Sequence, residues 1–259
     1  MGLSRPLVSG TLSFASISSS LDLFNPLQTT AYTSRSSRHF FTVFTIKDLG
    51  IVKYFLGMEI ARGESGTCLN QRKYILDLLK SAGLLGCRSV ATPLPLNCRL
   101  FLNDSSAYSQ LDAYRRLVGR LLYLNLTRPD ITYAIQQLSQ FVATPSELHW
   151  DAAIHVLKYL KGCPSLGLFY PTDTPLVLNA YSDADWGTCP DTRRSLTGYC
   201  IILGGSLISW HCKKHATVFV SSAEAEYWAL STTVREMIWL SHLYEDFRVT
   251  LPLEKRGIN

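Results

Sequence analysis

The sequence predicts a mixed α/β chain. Three observations carry this: short apolar runs bounded by Gly-rich turns near residues 51–70 and 196–214, helical apolar periodicity through the middle of the chain, and one long amphipathic stretch near its end.

Residues 1–40 stand apart from the rest. They hold ten serines, three arginines and a single acid, Asp22, with no persistent period. Such a composition reads as a disordered, non-homologous leader, or as an organelle transit peptide, and carries no fold expectation. Order is expected from Phe41 onward. IVKYFLGMEIA (51–61), the turn RGESG and then TCLNQ read as a hairpin. QRKYILDLLKSAGL sets Tyr74, Ile75, Leu78 and Leu79 at helical spacing, with Asn70 to cap the start and Gly83 to end it. CRSVATPLPLNC has two prolines and no period, so it is a linker. SQLDAYRRLVGRLLYLNL is a longer helix with Tyr114, Leu117, Leu121 and Leu124 on one side. Arg116 and Arg120 lie four apart on another side, a spacing that suits either phosphate contacts or a plain solvated face.

RPDITYAIQQLSQFVA predicts a further helix with Pro129 in its first turn. Thr144-Pro145-Ser146-Glu147 reads as a capping box, with Thr144 the cap, for the helix ELHWDAAIHVLKYLK, which Gly162 ends. SLGLFY and LVLNAYSDADW return to strand character. GYCIILGG and SLISWHCKK add two strands around Gly204-Gly205, a favoured two-residue turn. SSAEAEYWALSTTVREMIWLSHLYEDF is the closing helix. Trp150, Trp210 and Trp239 are most simply core residues, and His211 and His215 a solvated strand end.

Composition narrows the function classes. Seven cysteines with no Cys-x-x-Cys pair suggest neither a disulfide framework nor a zinc site, so reduced thiols and an intracellular location, cytoplasm or nucleus, are expected. No run of about 18 apolar residues occurs, so no membrane span is expected. The charge is uneven. Residues 1–180 hold 17 Lys/Arg against 11 Asp/Glu, and residues 181–259 hold 8 against 9. A basic body beside an acid-bearing segment suits a protein that grips a phosphate backbone and acts on it elsewhere; it also fits an ordinary, mildly basic surface.

The acids concentrate the chemistry. Asp183 and Asp185 share one strand face, because side chains alternate with period two. Glu224 and Glu226 are the candidates for a second acid, about 200° apart around the closing helix. The expected core stripe of that helix is Ala223, Tyr227, Leu230, Val234 and Met237, with Glu226 at its edge. Glu224 stands three residues after Ser221, a capping-box spacing. The expectation is therefore that Glu224 caps while Glu226 leans toward the strand of Asp183. Facing carboxylates suit Mg²⁺ (or Mn²⁺), a hard ion that keeps several waters. An ordinary polar strand end would explain the same residues.

Six blocks, in order, carry a resemblance: IKDLGIVKYFLGMEIAR, LNQRKYILDLLKSAGLLGCRSVATPL, YRRLVGRLLYLNLTRPDITYAIQQLSQF, HWDAAIHVLKYLKG, YSDADWGTCPDTRRSLTGYCIILGGSLISW and SSAEAEYWAL. Over residues 40–253 the chain resembles copia-type LTR retrotransposon Pol polyproteins. The resemblance implies that 41–175 is the C-terminal part of a reverse transcriptase, with a palm hairpin around Phe55-Leu56-Gly57 followed by helical thumb and connection. It implies that 176–259 is a truncated RNase H-like domain of three antiparallel strands plus a long helix, acting on an RNA–DNA hybrid or other nucleic acid. Its first catalytic, metal-binding Asp falls on Asp183 and its catalytic Glu on Glu226, while Arg193 and Arg194 fall in a loop able to touch hybrid phosphates.

The departures shape the expectation. The family's Tyr-Val-Asp-Asp polymerase motif has no counterpart, so polymerase activity is not expected of this chain. The family's third and fourth carboxylates have none either, so weak metal binding and impaired hydrolysis are expected. A non-catalytic nucleic-acid-binding remnant and a degenerate gene product are the competing readings.

Overall fold

The computed structural model describes residues 51–96, 98–102 and 105–249. The expected leader and the onset of order at Phe41 lie outside the described residues. Within them the chain forms two antiparallel sheets and five α-helices.

The first sheet grows from local turns. Strands β1 (Tyr54–Phe55), β2 (Met58–Gly63) and β3 (Gly66–Asn70) form consecutive hairpins. Leu56 and Gly57 both take positive φ between β1 and β2, the two-residue turn that a right-handed twist prefers. The Tyr123 hydroxyl donates to the Leu56 carbonyl and ties this turn to the helices. Strand β4 (Leu168–Pro171) completes the sheet against β3, with Leu69 facing Leu168.

Four helices build the middle of the molecule: α1 (Arg72–Ser81), α2 (Leu111–Leu124), α3 (Thr132–Ser139) and α4 (Glu147–Gly162). A short 3₁₀ turn, Pro129–Ile131, starts α3 as the proline predicts. Helix α1 ends as expected at Gly83, whose φ is +67°. Gly83 N–H donates to the Lys80 carbonyl and Leu84 N–H to the Leu79 carbonyl, a Schellman ending. At its start the Asn70 side chain accepts from Arg72 N–H (3.1 Å), although Gln71 holds the cap position. The predicted stripe of α2 is buried in full, and Val118 joins it.

The start of α4 corrects the sequence expectation. Ser146, not Thr144, is the cap, and His149 rather than an acid closes the box. His149 N–H donates to Ser146 Oγ (3.4 Å), and Ser146 N–H donates to His149 Nδ1 (2.9 Å). The reason is steric as well as chemical: the His149 ring is fully buried and stacks on Phe141, which fixes it where it can accept. A bidentate pair anchors the same unit. Arg128, completely buried, holds both oxygens of Asp130 (2.9 and 2.7 Å) and donates to the Cys163 carbonyl (2.9 Å).

The second sheet follows: β5 (Leu178–Asp185), β6 (Leu196–Leu203) and β7 (Ser206–Lys214), in that spatial order. Gly204 and Gly205 turn β6 into β7 with positive φ at both positions, as the sequence predicts. Helix α5 (Ser222–Asp246) lies chiefly on β5 and β6. Among the described residues, no helix is long and apolar enough to cross a membrane.

Candidate functional site

Asp183 pairs with Gly198 and, through it, with Cys212; Asp185 pairs with Leu196. Asp183 and Asp185 therefore share a face and are both exposed. Burial, and behind it the Asp185 charge, pushes the Cys212 thiol up to about 11. The Tyr133 phenol of α3 is also raised, first by burial and then by Asp185, so the helical unit borders this face of the sheet.

Helix α5 covers the other face. Ser209 Oγ donates to Glu236 Oε1 (3.2 Å), and Ser209 sits opposite Ile201 and thence Ala180, alternating with the acids. The helix buries Ala225, Ala229, Thr233, Glu236, Leu240, Leu243 and Tyr244. This overturns the stripe expected from sequence: Ala223 and Tyr227 are exposed, and Leu230, Val234 and Met237 only half-buried. Small residues let the helix approach the sheet closely, and Ser209 satisfies Glu236, so close approach rather than apolar bulk selects the buried face.

Glu226 is exposed and sits on the flank of the observed stripe, about 60° from its centre at 100° per residue. Glu224 lies on the far side and closes the helix start, as the sequence suggests. Its N–H donates to Ser221 Oγ (3.2 Å), and its Oε2 accepts from Val220 N–H (2.8 Å).

A side chain that sequence reasoning missed as a site residue connects the two acids' elements. Trp186 Nε1 donates to the Phe219 carbonyl (3.1 Å). That bond ties the end of β5, three residues past Asp183, to the segment two residues before the Ser221 cap. Phe219 stacks on Trp228 (6.2 Å between centroids), and both tryptophan rings remain about half exposed, Trp186 at 47% and Trp228 at 49%. The only sequence signal was a large aromatic directly after the paired acids.

The arginines fall in two places. Arg193 and Arg194 lie in the β5–β6 loop, closed by Arg193 N–H to the Cys189 carbonyl (2.8 Å). Arg193 adopts φ +53°, and its guanidinium lies beside Gly187, at the end of β5. Arg116 and Arg120 lie on the solvent side of α2, where Arg120 donates to Ser81 Oγ (3.0 Å). Lys214 Nζ donates to Cys189 Sγ and to Gln140 Oε1 (both 2.8 Å). Burial alone would raise the Cys189 thiol; the bonds from Lys214 and Thr192 outweigh it and lower the thiol below its ordinary value.

The expected solvated end at His211 is also corrected. The ring packs against Tyr199 (5.5 Å), and burial, with the charges of Lys213 and His215, lowers it to about 4. Among the described residues no group of three His, Cys, Asp or Glu side chains is placed to hold a metal ion.

Comparison with known proteins finds clear relatives. An uncharacterized mitochondrial protein of Arabidopsis thaliana is 42% identical over 200 residues, 77% of this chain and 83% of that protein. A retrovirus-related Pol polyprotein from transposon RE2 of the same plant is 40% identical over 80% of this chain. One from transposon TNT 1-94 of Nicotiana tabacum is 34% identical over 78%. The chain spans 14% and 16% of those two polyproteins. No family model and no solved structure matches.

Proposed function

The chain belongs to the family of copia-type retrotransposon Pol polyproteins, and on that premise we propose that residues 178–246 present two acids of a nuclease site, Asp183 and Glu226, to an RNA–DNA hybrid. In this reading the second sheet with α5 is an RNase H-like unit, and the first hairpins and helices are the palm, thumb and connection of a reverse transcriptase. The observation that carries the proposal is the Trp186–Phe219 bond. It fixes the end of the strand bearing Asp183 against the start of the helix bearing Glu226, so two acids 43 positions apart in sequence are held on elements joined at one corner of the sheet.

The donor chemistry suits a hydrated Mg²⁺ or Mn²⁺, because carboxylates supply hard oxygens; since Asp183 lies on the face of the sheet opposite α5, an ion shared with Glu226 would sit around the free edge of β5, bind weakly and keep most of its waters. When bound, such an ion supplies an acidified water and neutralises charge on a phosphate. The chain's own side chains bind and orient. Arg193 and Arg194, at the same end of β5, meet the hybrid's phosphates, and the exposed Trp186 and Tyr181 rings offer it flat apolar surface. Cleavage of a labelled RNA–DNA hybrid in Mg²⁺ tests the reading: Asp183→Asn and Glu226→Gln should each fall to background, and Trp186→Phe should lower cleavage while leaving the fold intact. Equal cleavage by wild type and Asp183→Asn refutes it.

The missing third ligand favours one second reading, a nucleic-acid binder without hydrolysis. Hybrid binding that weakens steeply with salt, with no metal-dependent cleavage at any Mg²⁺ concentration, would select it.

A further inference from the structure

The helical unit carries a cationic furrow that the nuclease site does not use. Two hollows of about 530 and 520 Å³ flank Lys158 on α4 and share it as a common wall. The first has an apolar floor that includes Leu100, Ala152 and Ile154, with Arg99 and His155 beside it. The second lies under the segment 87–91 and carries Arg88. Among the residues lining both, Asp151 alone is acidic.

The segment 87–94 is held along α4 and is not a loose flap. Lys161 Nζ donates to the Cys87 carbonyl, Val90 N–H to the Lys158 carbonyl (3.4 Å), and His155 Nε2 lies 3.1 Å from the Thr92 carbonyl. The furrow is therefore formed before any ligand arrives, which lowers the ordering cost of binding. Arg88 and Arg99 are exposed, with Lys158 half-buried between the hollows they line.

The geometry points to a single strand of nucleic acid seated along this furrow, its phosphates on Arg88, Lys158 and Arg99 and a base over the apolar floor. The choice of nucleic acid among polyanions rests on the function proposed above. A strand rather than a duplex is selected because the hollows are concave and partly apolar: a single strand turns its bases outward into them, whereas a duplex offers only its phosphate ridge.

Anisotropy of a short fluorescent oligothymidine, measured in EDTA, tests this with no metal and no cleavage. Lys158→Gln should weaken binding about five-fold and flatten the dependence of log K on log salt by about one. Arg99→Glu, at an exposed position that leaves the packing untouched, should weaken it further, while Lys158→Arg and Arg235→Gln, the latter at an exposed position of α5, should bind like wild type. A Lys158→Gln/Arg99→Glu double variant with wild-type circular dichroism and undiminished binding overturns the furrow. A duplex that competes as well as the single strand overturns the strand assignment. Loss of hybrid cleavage with oligothymidine binding intact counts against the nuclease reading alone.

Discussion

The helical unit and the second sheet each close on an apolar core with a few buried polar groups, but they differ in what they leave at the surface. The helices converge on a core of aliphatic and aromatic side chains, with Ile75, Leu121, Leu124, Ile131 and Leu157 all fully buried. The sheet and α5 bury Ser195, Thr197, Ser206, Ser209, Thr233 and Glu236 within or beside their core, while Tyr181, Trp186, Tyr227 and Trp228 are left facing solvent. One region spends its apolar side chains on cohesion. The other has an apolar core of its own, with Ile201, Leu203, Trp210 and Leu240 buried, but also holds large rings and acids in the open. That difference assigns stability to the first and surface chemistry to the second.

The comparison can be broken most forcefully at Arg128. Arg128→Ala empties the space of a completely buried side chain and removes its bonds to Asp130 and to the Cys163 carbonyl, and the helical unit should lose about 3–5 kcal/mol in denaturant unfolding. Leu121→Ala should cost about 3 kcal/mol by the cavity it opens. Tyr227→Ala, on a larger side chain, should change stability by less than about 0.5 kcal/mol, since the ring is 72% exposed. A comparable loss at Tyr227 would erase the distinction between the regions.

Acid separates them by pH. The His211 ring is lowered to about 4 from an ordinary 6.5, by burial first and then by Lys213 and His215. The unfolded chain takes up this proton before the folded one does. The stabilisation is thus complete above pH 6.5 and is lost as pH falls toward 4. For Asp130, burial alone would raise the carboxyl. The bonds and charge of Arg128, with the Tyr159 hydroxyl, hold it below its ordinary 3.8, so its contribution is complete above that value and lost below it. Acidification should loosen the sheet, followed by tryptophan fluorescence, before it loosens the helices, followed by circular dichroism. His211→Phe should flatten the upper limb only.

The smallest effect sharpens the assignment of the two glutamates. Glu224→Ala should cost about 1 kcal/mol through the helix start, whereas Glu226→Gln should leave the melting temperature nearly unchanged.

Regular elements were readable wherever apolar spacing and local geometry agreed. Tyr114, Leu117, Leu121 and Leu124 fall at steps of three and four, and all four are buried. Gly83 and Gly204-Gly205 adopt the positive φ their turns require. In α5 the same reasoning chose the wrong stripe, because hydrophobicity favours Tyr227 and Val234 whereas the sheet accepts Ala225, Ala229 and Thr233. At α4, Thr144 and Ser146 are both able to cap, and only the buried His149 ring decides between them. The acids were visible from period-two spacing. The bond that joins their elements was not, since it links an indole to a main-chain carbonyl 33 residues away and leaves no local pattern.

The arrangement of β5 has a practical side. Among the described residues it is the outermost strand of its sheet, hydrogen-bonded only to β6, so one row of its amides and carbonyls has no neighbouring strand. Such a border invites identical molecules to add to one another ribbon by ribbon, and outward charge is the usual deterrent. Asp183 and Asp185, both exposed on this strand, place charge of that kind at the border. Neutralising both removes charge from that border, so a doubly substituted preparation should cloud sooner than the parent, and any assay on it is best run on freshly cleared protein.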